Sequence, residues 1–324
     1  MKSNLPYRRL IFLFALLTAA ALVYARQRAI PLELAATLLP AVLLEIALYA
    51  SLAFPAIREP LSALKPATLA TLLFLSALAP WLIYPSHAKP LLLLALVLPV
   101  AFWYIVFKPS TASDVALLLL LPAVVLLKGR LFRDLYPDPM PGLRLDFLGQ
   151  LMWIRLAIGV MLLLRRVEGI GFGFVPTKAE WRIGAKYFLQ AMPAGLLAAY
   201  ALGVLKLGTP NVPVWVLPLY AAGVFLGIFA VVACSEEFFL RGILLGRLLL
   251  IIKNETAALL IVTCISGAVH LTFRHALNWK FALLSAIVHF FFGRAYLEAG
   301  GIRAGMVAHA LTATAWITLF AKSG

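Results

Sequence analysis

One short stretch places acidic and basic side chains together inside an apolar region of the chain. Residues 234–242 read Cys-Ser-Glu-Glu-Phe-Phe-Leu-Arg-Gly, and apolar runs flank them on both sides. A charged side chain at membrane depth costs about 2.5–3.5 kcal/mol, so such groups face a helix bundle or a wet cavity. On a helix, Glu237 and Arg241 share a face and are expected to pair. Glu236, about 100° away, is left without that partner. The stretch is then either a buried ion pair that fixes helix packing, or a catalytic arrangement with one acid held and one free.

Histidines in the last third of the chain could complete such an arrangement. His270, His289 and His309 each lie on or beside a separate apolar run. A carboxylate can act as general base on water while a histidine orients the water. Another histidine can stabilise the oxyanion that forms as water adds to a carbonyl. Alternatively, two histidines and a glutamate can ligate zinc and leave one position open for water, although no His-Glu-x-x-His run requires a metal. Both alternatives predict hydrolysis of an acyl or peptide bond within the membrane.

Composition defines the class of protein that must position these groups. The 324 residues are 64% hydrophobic and 13% charged, and the mean hydropathy is +0.99. Soluble domains are about half apolar and a quarter charged, so a polytopic membrane protein is expected. The net charge of +15 comes mainly from basic residues in the short links. Membrane topology and anionic lipid headgroups explain these residues, and we expect no nucleic-acid partner. Cys234 and Cys264 have no zinc-ligand spacing and are interpreted as packing residues.

The apolar runs predict an all-α transmembrane bundle with about 10–12 membrane segments. Each run is near the roughly 20 residues that a bilayer crossing requires. The basic and apolar N-terminus is interpreted as an uncleaved first helix, because many further spans follow it. The predicted helices lie near 10–25, 31–54, 67–84, 90–107, 114–128, 147–164, 184–206, 213–233, 235–252, 256–273, 279–297 and 302–321.

Two polar links divide this series of helices. The link at 128–146 is rich in proline and charge, and it predicts a boundary between an N-terminal helical extension, 1–140, and a C-terminal domain, 141–324. The link at 168–182 is interpreted as an interfacial loop. In the first half, Glu33 and Glu45 each stand without an assignable partner, and a structural or lumen-facing position is expected for them.

The motif residues carry a resemblance to a known family. The pattern resembles that of the CPBP family, the CAAX prenyl protease and bacteriocin-processing intramembrane endopeptidases, also called ABI proteins. The resemblance covers residues 141–324 as a helical core and is strongest at 185–321. It rests on Glu236-Glu237-x-x-x-Arg241-Gly242, then His270, then Gly293-x-x-x-Leu297-x-x-x-Gly301 leading into Ala308-His309.

The resemblance implies a role for each matching residue. Glu236 would be the base that activates water, with help from His270. Glu237 and Arg241 would support and orient that base, and His309 would help to form the oxyanion site. The family is viewed as glutamate-dependent and metal-free, so no cofactor is expected. A zinc-dependent alternative would use Glu236, His270 and His309 as ligands.

The chain departs from the family pattern at two positions. Ser266 stands where the family has phenylalanine four residues before its histidine, and Ala313 stands where it has asparagine or aspartate four residues after the last histidine. Thr312 could offer a hydroxyl near His309 instead. His289 is a rival for the role of His270, which is preferred because its separation from Arg241 suits the family better.

The sequence therefore predicts a multi-pass protein of the cell membrane that cuts a peptide bond. The expected substrate is a peptide or membrane-anchored protein, possibly lipidated, and the other partners are membrane lipids. Two alternatives remain open. One is a non-catalytic membrane scaffold or regulator that keeps the family fold, and the other is a proton- or cation-coupled transporter.

Overall fold

The described part of the chain is almost entirely helical. The computed structural model describes residues 11–320, apart from 12–13, 16–17, 20, 27–28, 84–89, 109, 118–131, 206–212 and 273–276. Most of the predicted helix at 114–128 and part of that at 10–25 lie outside these residues. Five described helices are long and apolar enough to cross a bilayer: Leu32–Ser51, Pro66–Ile83, Asp146–Leu164, Val214–Ile252 and Trp279–Ala299. The predicted all-α polytopic fold is confirmed, and the number of 10–12 segments stays a prediction.

The chain divides into two compact units, Met1–Val167 and Glu168–Gly324. The first unit contains α1 (Leu32–Ser51), α2 (Pro55–Ser62), α3 (Pro66–Ile83), α4 (Pro90–Val106) and α5 (Asp146–Leu164). Helix α5 lies in this first unit, whereas the predicted boundary at 140/141 assigns it to the C-terminal domain. That domain assignment stays a prediction.

A buried ion pair joins helices of the first unit. Arg155 on α5 donates to both carboxylate oxygens of Glu45 on α1, from Nε at 2.7 Å and from Nη2 at 3.0 Å. Its Nη1 donates to the Ser76 hydroxyl on α3 at 2.7 Å, and Nη2 also reaches the Ser76 carbonyl oxygen at 3.2 Å. Glu45 therefore has the partner that the sequence could not assign. We call Glu45, Ser76 and Arg155 the Glu45 cluster.

The second unit contains α6 (Lys178–Ala201), α7 (Val214–Ile252), α8 (Glu255–Val269), α9 (Trp279–Ala299) and α10 (Ile302–Leu319). Two predicted helices, 213–233 and 235–252, are a single helix, α7. The sequence analysis separated them at the polar residues, but the backbone continues through Cys234–Glu236 without a break. Polar side chains do not end a helix when no proline or capping residue interrupts its backbone.

Local signals fix the ends of the other helices. Thr177 caps α6 by accepting from the Glu180 amide at 3.3 Å, and the Glu180 carboxylate accepts from the Thr177 amide. This capping box places the start of α6 several residues before the predicted position at 184. Asn254 and Asn278 cap α8 and α9 through their side-chain oxygens. Gly300, with φ at +68°, ends α9 in the left-handed conformation that favours glycine.

A salt bridge ties the start of α6 to α10. Arg303 donates from Nε to Glu180 Oε1 at 2.9 Å. Burial raises the pKa of the Glu180 carboxyl, but the hydrogen bonds from Thr177 and Arg303 outweigh it and leave the pKa below its ordinary value. Nearby, the amide of Ile302 donates to the carbonyl of Ile170 at 2.9 Å. The loop that begins at 168 is thereby held against the start of α10.

Small residues let the helices of this unit approach closely. A Cβ at Gly184 on α6 would lie 2.6 Å from Val307 on α10, and one at Gly267 on α8 would lie 2.7 Å from the Ala282 carbonyl on α9. Gly305 on α10 faces α7, where a Cβ would lie 2.6 Å from Glu237 Oε2. Close packing of this kind is typical of helices in membranes, where van der Waals contact and hydrogen bonds drive association.

Candidate functional site

The polar residues of the last third meet inside the second unit. Glu236, Glu237 and Arg241 lie on α7, His289 lies on α9 and His309 lies on α10. His270 is the first residue of the short 3-10 turn that follows α8, His270–Thr272. We call Glu236, Glu237, Arg241, His289 and His309 the Glu236 site.

Helix α7 changes its hydrogen-bonding pattern where the site begins. From Glu237 to Leu245 the helix is a π-helix. The amide of Gly246 bonds to the carbonyl of Arg241, five residues earlier, instead of the usual four. Stretches of π-helix are rare and are frequently found at functional sites. Glu236 ends the short α-helical turn Cys234–Glu236, and Glu237 begins this π-helical stretch.

Glu237 is held from two sides and is fully buried. Its Oε1 accepts from Arg241 Nη1 at 3.3 Å, which confirms the ion pair predicted from the four-residue spacing. The same oxygen lies 3.2 Å from His309 Nδ1. Arg241 also donates from Nη2 to the carbonyl oxygen of His289 at 2.7 Å. Glu237 and Arg241 therefore connect α7 to both α9 and α10.

Glu236 has a different environment from its neighbour. Its side chain is 29% exposed, and Oε2 lies 3.5 Å from His289 Nε2. Within the described residues, Oε2 makes no hydrogen bond. An ionised carboxylate can accept several hydrogen bonds, so Glu236 retains the capacity to hold a water molecule or another donor. Glu237 rather than Glu236 is therefore the acid that pairs with Arg241, as the four-residue spacing predicts.

The three histidines form a row of ring contacts. The centroid of His289 lies 5.4 Å from that of His270 and 5.3 Å from that of His309. Phe292 stacks on the His309 ring with centroids 4.7 Å apart and planes 13° apart. His289 is thus central to the row, and Phe292 holds the orientation of His309.

His270 occupies one end of this row and has polar contacts of its own. Its Nδ1 lies 2.8 Å from the carbonyl oxygen of Ser266 and 3.0 Å from the Ser285 hydroxyl. Ser266, the residue that departs from the family pattern, is buried and donates its hydroxyl to the Val262 carbonyl. The assistance of His270 to Glu236 stays a prediction.

For the role beside Glu236, the sequence favoured His270 over His289. One donor atom each from Glu236, His289 and His309 lie within 4.8 Å of one another, so His289 stands where the zinc alternative had His270. A signal for this position exists in the sequence: Ser285, His289 and Gly293 recur every four residues along one face of α9. Ser285 contacts His270, and a Cβ at Gly293 would lie 3.9 Å from Arg241 Nε.

The second departure removes from the last helix the side-chain donor that the family pattern places four residues after His309. Ala313 supplies no hydrogen-bonding side chain, and Thr312 donates its hydroxyl to the Ala308 carbonyl at 2.8 Å. The expected substitute for the family's asparagine is therefore engaged within its own helix. Cys234 is buried and Cys264 is exposed, and the two do not form a disulfide with each other.

Comparison with known proteins adds one finding. Residues 218–315 match the family of type II CAAX prenyl endopeptidases described as Rce1-like. The matched segment begins in α7 and ends in α10, so it includes Glu236, Glu237, Arg241 and all three histidines. No curated protein and no solved structure matches the chain. The resemblance to the CAAX protease family that the motif residues indicated is confirmed over the region that holds the candidate site.

Proposed function

We propose that the protein is an intramembrane endopeptidase that hydrolyses a peptide bond with water activated by Glu236. The observation that carries this proposal is the asymmetry of the two acids within the matched segment. Each acid keeps an Oε2 without a hydrogen bond among the described residues, but Glu237 is fully buried and bonded through Oε1 to Arg241 and His309, whereas the Glu236 side chain is 29% exposed. A base needs a free lone pair and access to water, and the partly exposed side chain of Glu236 suits that role better than the fully buried Glu237 does.

The proposed reaction follows from this geometry. Glu236 takes a proton from water, and the resulting hydroxide oxygen bonds to the carbon of the scissile carbonyl. His289, and His270 behind it, orient the carboxylate and the water. The tetrahedral intermediate collapses as the C–N bond breaks, and protonated Glu236 returns its proton to the leaving amine nitrogen. Glu237 and Arg241 hold the helices in register throughout.

His309 is proposed to stabilise the oxyanion. Because ionised Glu237 can only accept a hydrogen bond, Nδ1 of His309 is the donor in their contact. We propose that Nε2 donates its N–H to the oxyanion when the His309 ring is in the imidazolium form. One such donor contributes about 10²–10³ to the rate.

The substrate we propose is a membrane-anchored protein or peptide with a prenylated C-terminal tail. The matched family is described as CAAX prenyl endopeptidases, and this description supports the proposal. The long apolar helices support an integral membrane location, which we propose to be the cell membrane.

The test is cleavage of a farnesylated CAAX peptide by the full-length protein in lipid vesicles. Wild type is expected to release the C-terminal tripeptide, and an unprenylated peptide of the same sequence is expected to be cut more slowly. Glu236→Gln keeps the shape of the side chain and removes the base, so cleavage is expected to fall to background. Unchanged cleavage by Glu236→Gln would overturn the role of this residue.

A second candidate, a non-catalytic scaffold that keeps the fold, is favoured by one observation. Ala313 and the internally bonded Thr312 leave the side of His309 without the expected donor. The variant Ala313→Asn distinguishes an endopeptidase from a non-catalytic scaffold. An endopeptidase should gain activity, by up to about 10²-fold if the new amide reaches the oxyanion. A scaffold should show no cleavage before or after the change.

A further inference from the structure

Three side chains that commonly ligate metals converge from α7, α9 and α10. A donor atom of Glu236, one of His289 and one of His309 lie within 4.8 Å of one another. The Glu236 Oε2 to His289 Nε2 distance is 3.5 Å. Ligands bonded at about 2.0–2.1 Å to a tetrahedral ion lie about 3.4 Å apart. The pair already has nearly this separation, whereas the third donor, within 4.8 Å of the others, must move closer when an ion binds.

We propose that Glu236, His289 and His309 bind a divalent transition-metal ion such as Zn²⁺ or Co²⁺. Two imidazoles and one carboxylate are donors that suit these ions, whereas Mg²⁺ and Ca²⁺ prefer oxygen ligands alone. Three protein ligands leave a fourth position for water or another small ligand. His289 is essential to this donor set, and no motif assigned to the chain from its family resemblance includes it.

The residues around the donors provide the support that metal ligands require. Glu237 Oε1 contacts His309 Nδ1 at 3.2 Å, which fixes the tautomer of His309 and leaves its Nε2 lone pair available. Arg241 balances the charge of Glu237, so Glu236 is the anionic ligand of the site. A carboxylate behind a ligating histidine is the usual second partner in such sites.

Glu236 is the most exposed of the three proposed ligands. The side chain of Glu236 is 29% exposed, against 3% for His289. An ion can therefore enter past the carboxylate and be held by the buried imidazoles. The ion would occupy the position of the water that Glu236 activates, so metal binding would inhibit cleavage. That consequence rests on the proposed function, whereas the metal site itself does not.

Cobalt spectroscopy tests the donor set without any assay of activity. The EDTA-treated full-length protein, in detergent and with Cys264→Ser to remove the exposed thiol, is titrated with Co²⁺ and followed by its visible d–d absorption. Stoichiometric binding is expected. His289→Gln and His309→Gln should each weaken the Co²⁺ Kd by at least about 100-fold, since loss of an outer partner alone costs about 10–100-fold. Glu237→Gln, which changes only the outer partner of His309, should weaken the Co²⁺ Kd by about 10–100-fold.

His270→Gln is the matched control, because its ring contacts His289 but lies outside the donor group. Its Co²⁺ Kd should stay near the wild-type value. Absence of a d–d spectrum in the wild type, or an equal loss in His270→Gln and His289→Gln, would overturn the proposed site. Helicity by circular dichroism identifies any variant that fails to fold, and Glu236→Gln then serves as an independent removal of one ligand.

Cleavage of the farnesylated peptide tests the consequence for activity. The EDTA-treated wild type should be active, and Zn²⁺ should inhibit it over the same concentration range in which Co²⁺ binds. Stimulation by Zn²⁺ would contradict the proposal that the ion occupies the position of the water that Glu236 activates. A protein that binds Co²⁺ as expected but cuts no peptide would confirm the metal site while contradicting the proposed function.

Discussion

The Glu45 cluster and the Glu236 site are both buried groups of acids and bases, yet their hydrogen bonding differs. In the Glu45 cluster both carboxylate oxygens of Glu45 accept from Arg155, and each nitrogen of that guanidinium finds an acceptor. In the Glu236 site, four atoms have no hydrogen bond among the described residues: Glu236 Oε2, Glu237 Oε2, Arg241 Nε and His289 Nδ1.

This difference distinguishes a cluster that only fixes helix packing from one that can bind a ligand or react. Buried polar atoms are normally bonded, and each exception costs about 1–3 kcal/mol. A saturated cluster has no capacity left for a ligand, so its role is to fix α1, α3 and α5 of the first unit. An unsaturated cluster retains donors and acceptors for water, substrate or an ion. Charge alone does not distinguish the two cases, because both groups contain a buried acid paired with an arginine.

The largest expected effect is a contrast between Glu236 and Glu45: replacement by Gln should reduce the cleavage rate at the first position and the stability at the second. Glu236→Gln should reduce cleavage of the farnesylated peptide by about 10²–10⁴-fold, because it removes a general base. Its thermal unfolding temperature in detergent should stay near the wild-type value. Glu45→Gln should instead leave Arg155 buried without a countercharge and destabilise the protein by roughly 3–5 kcal/mol. Equal effects of both variants on stability and rate would contradict the distinction between the clusters.

Replacing both partners with apolar residues sharpens the comparison. Glu45→Leu with Arg155→Met should recover most of the stability lost in Glu45→Gln, since apolar residues of similar volume often replace a buried ion pair without cost. Glu237→Leu with Arg241→Met, compared in the same assays, should stay folded but lose cleavage, because His309 loses its carboxylate partner. Retained cleavage in this second variant would show that the Glu237–Arg241 pair only supports packing.

Gly305→Ala tests how closely the Glu236 site is packed. The new methyl group would lie 2.6 Å from Glu237 Oε2, so the carboxylate must shift. Displacement by about 1 Å can cost about 10²-fold in rate, measured as kcat for the farnesylated peptide. Gly223→Ala, at a helical glycine on α7 with open space around it, is the matched control and should leave kcat unchanged. Equal rates in both variants would contradict the tight contact.

The smallest expected effect concerns the capping box of α6, whose residues belong to neither cluster. Thr177→Ala should reduce stability by about 1 kcal/mol. The pKa of Glu180 is lower in the folded protein than in the unfolded chain. Its stabilising contribution is therefore complete above the unfolded pKa of about 4.3 and is lost as pH falls through the folded pKa. Glu180→Gln should remove this pH dependence of the unfolding temperature.

Much of the site was predictable because its contacts are local in the sequence. The Glu237–Arg241 pair follows from a spacing of four residues, and that spacing brings the two side chains together in the structure even though the turn is π-helical. The membrane class follows from composition. The continuity of α7 could not be predicted from hydropathy, because the charged residues divide the apolar pattern while the backbone hydrogen bonds continue.

By itself the sequence determined the all-α membrane fold, the paired and unpaired acids and the family resemblance. Only the tertiary structure decided that His289 rather than His270 lies beside Glu236, and that Arg155 is the partner of Glu45, 110 residues away. The physical reason is the same in both cases. Helical periodicity determines which residues share a face of one helix, but distances between helices depend on how their small and large side chains pack together.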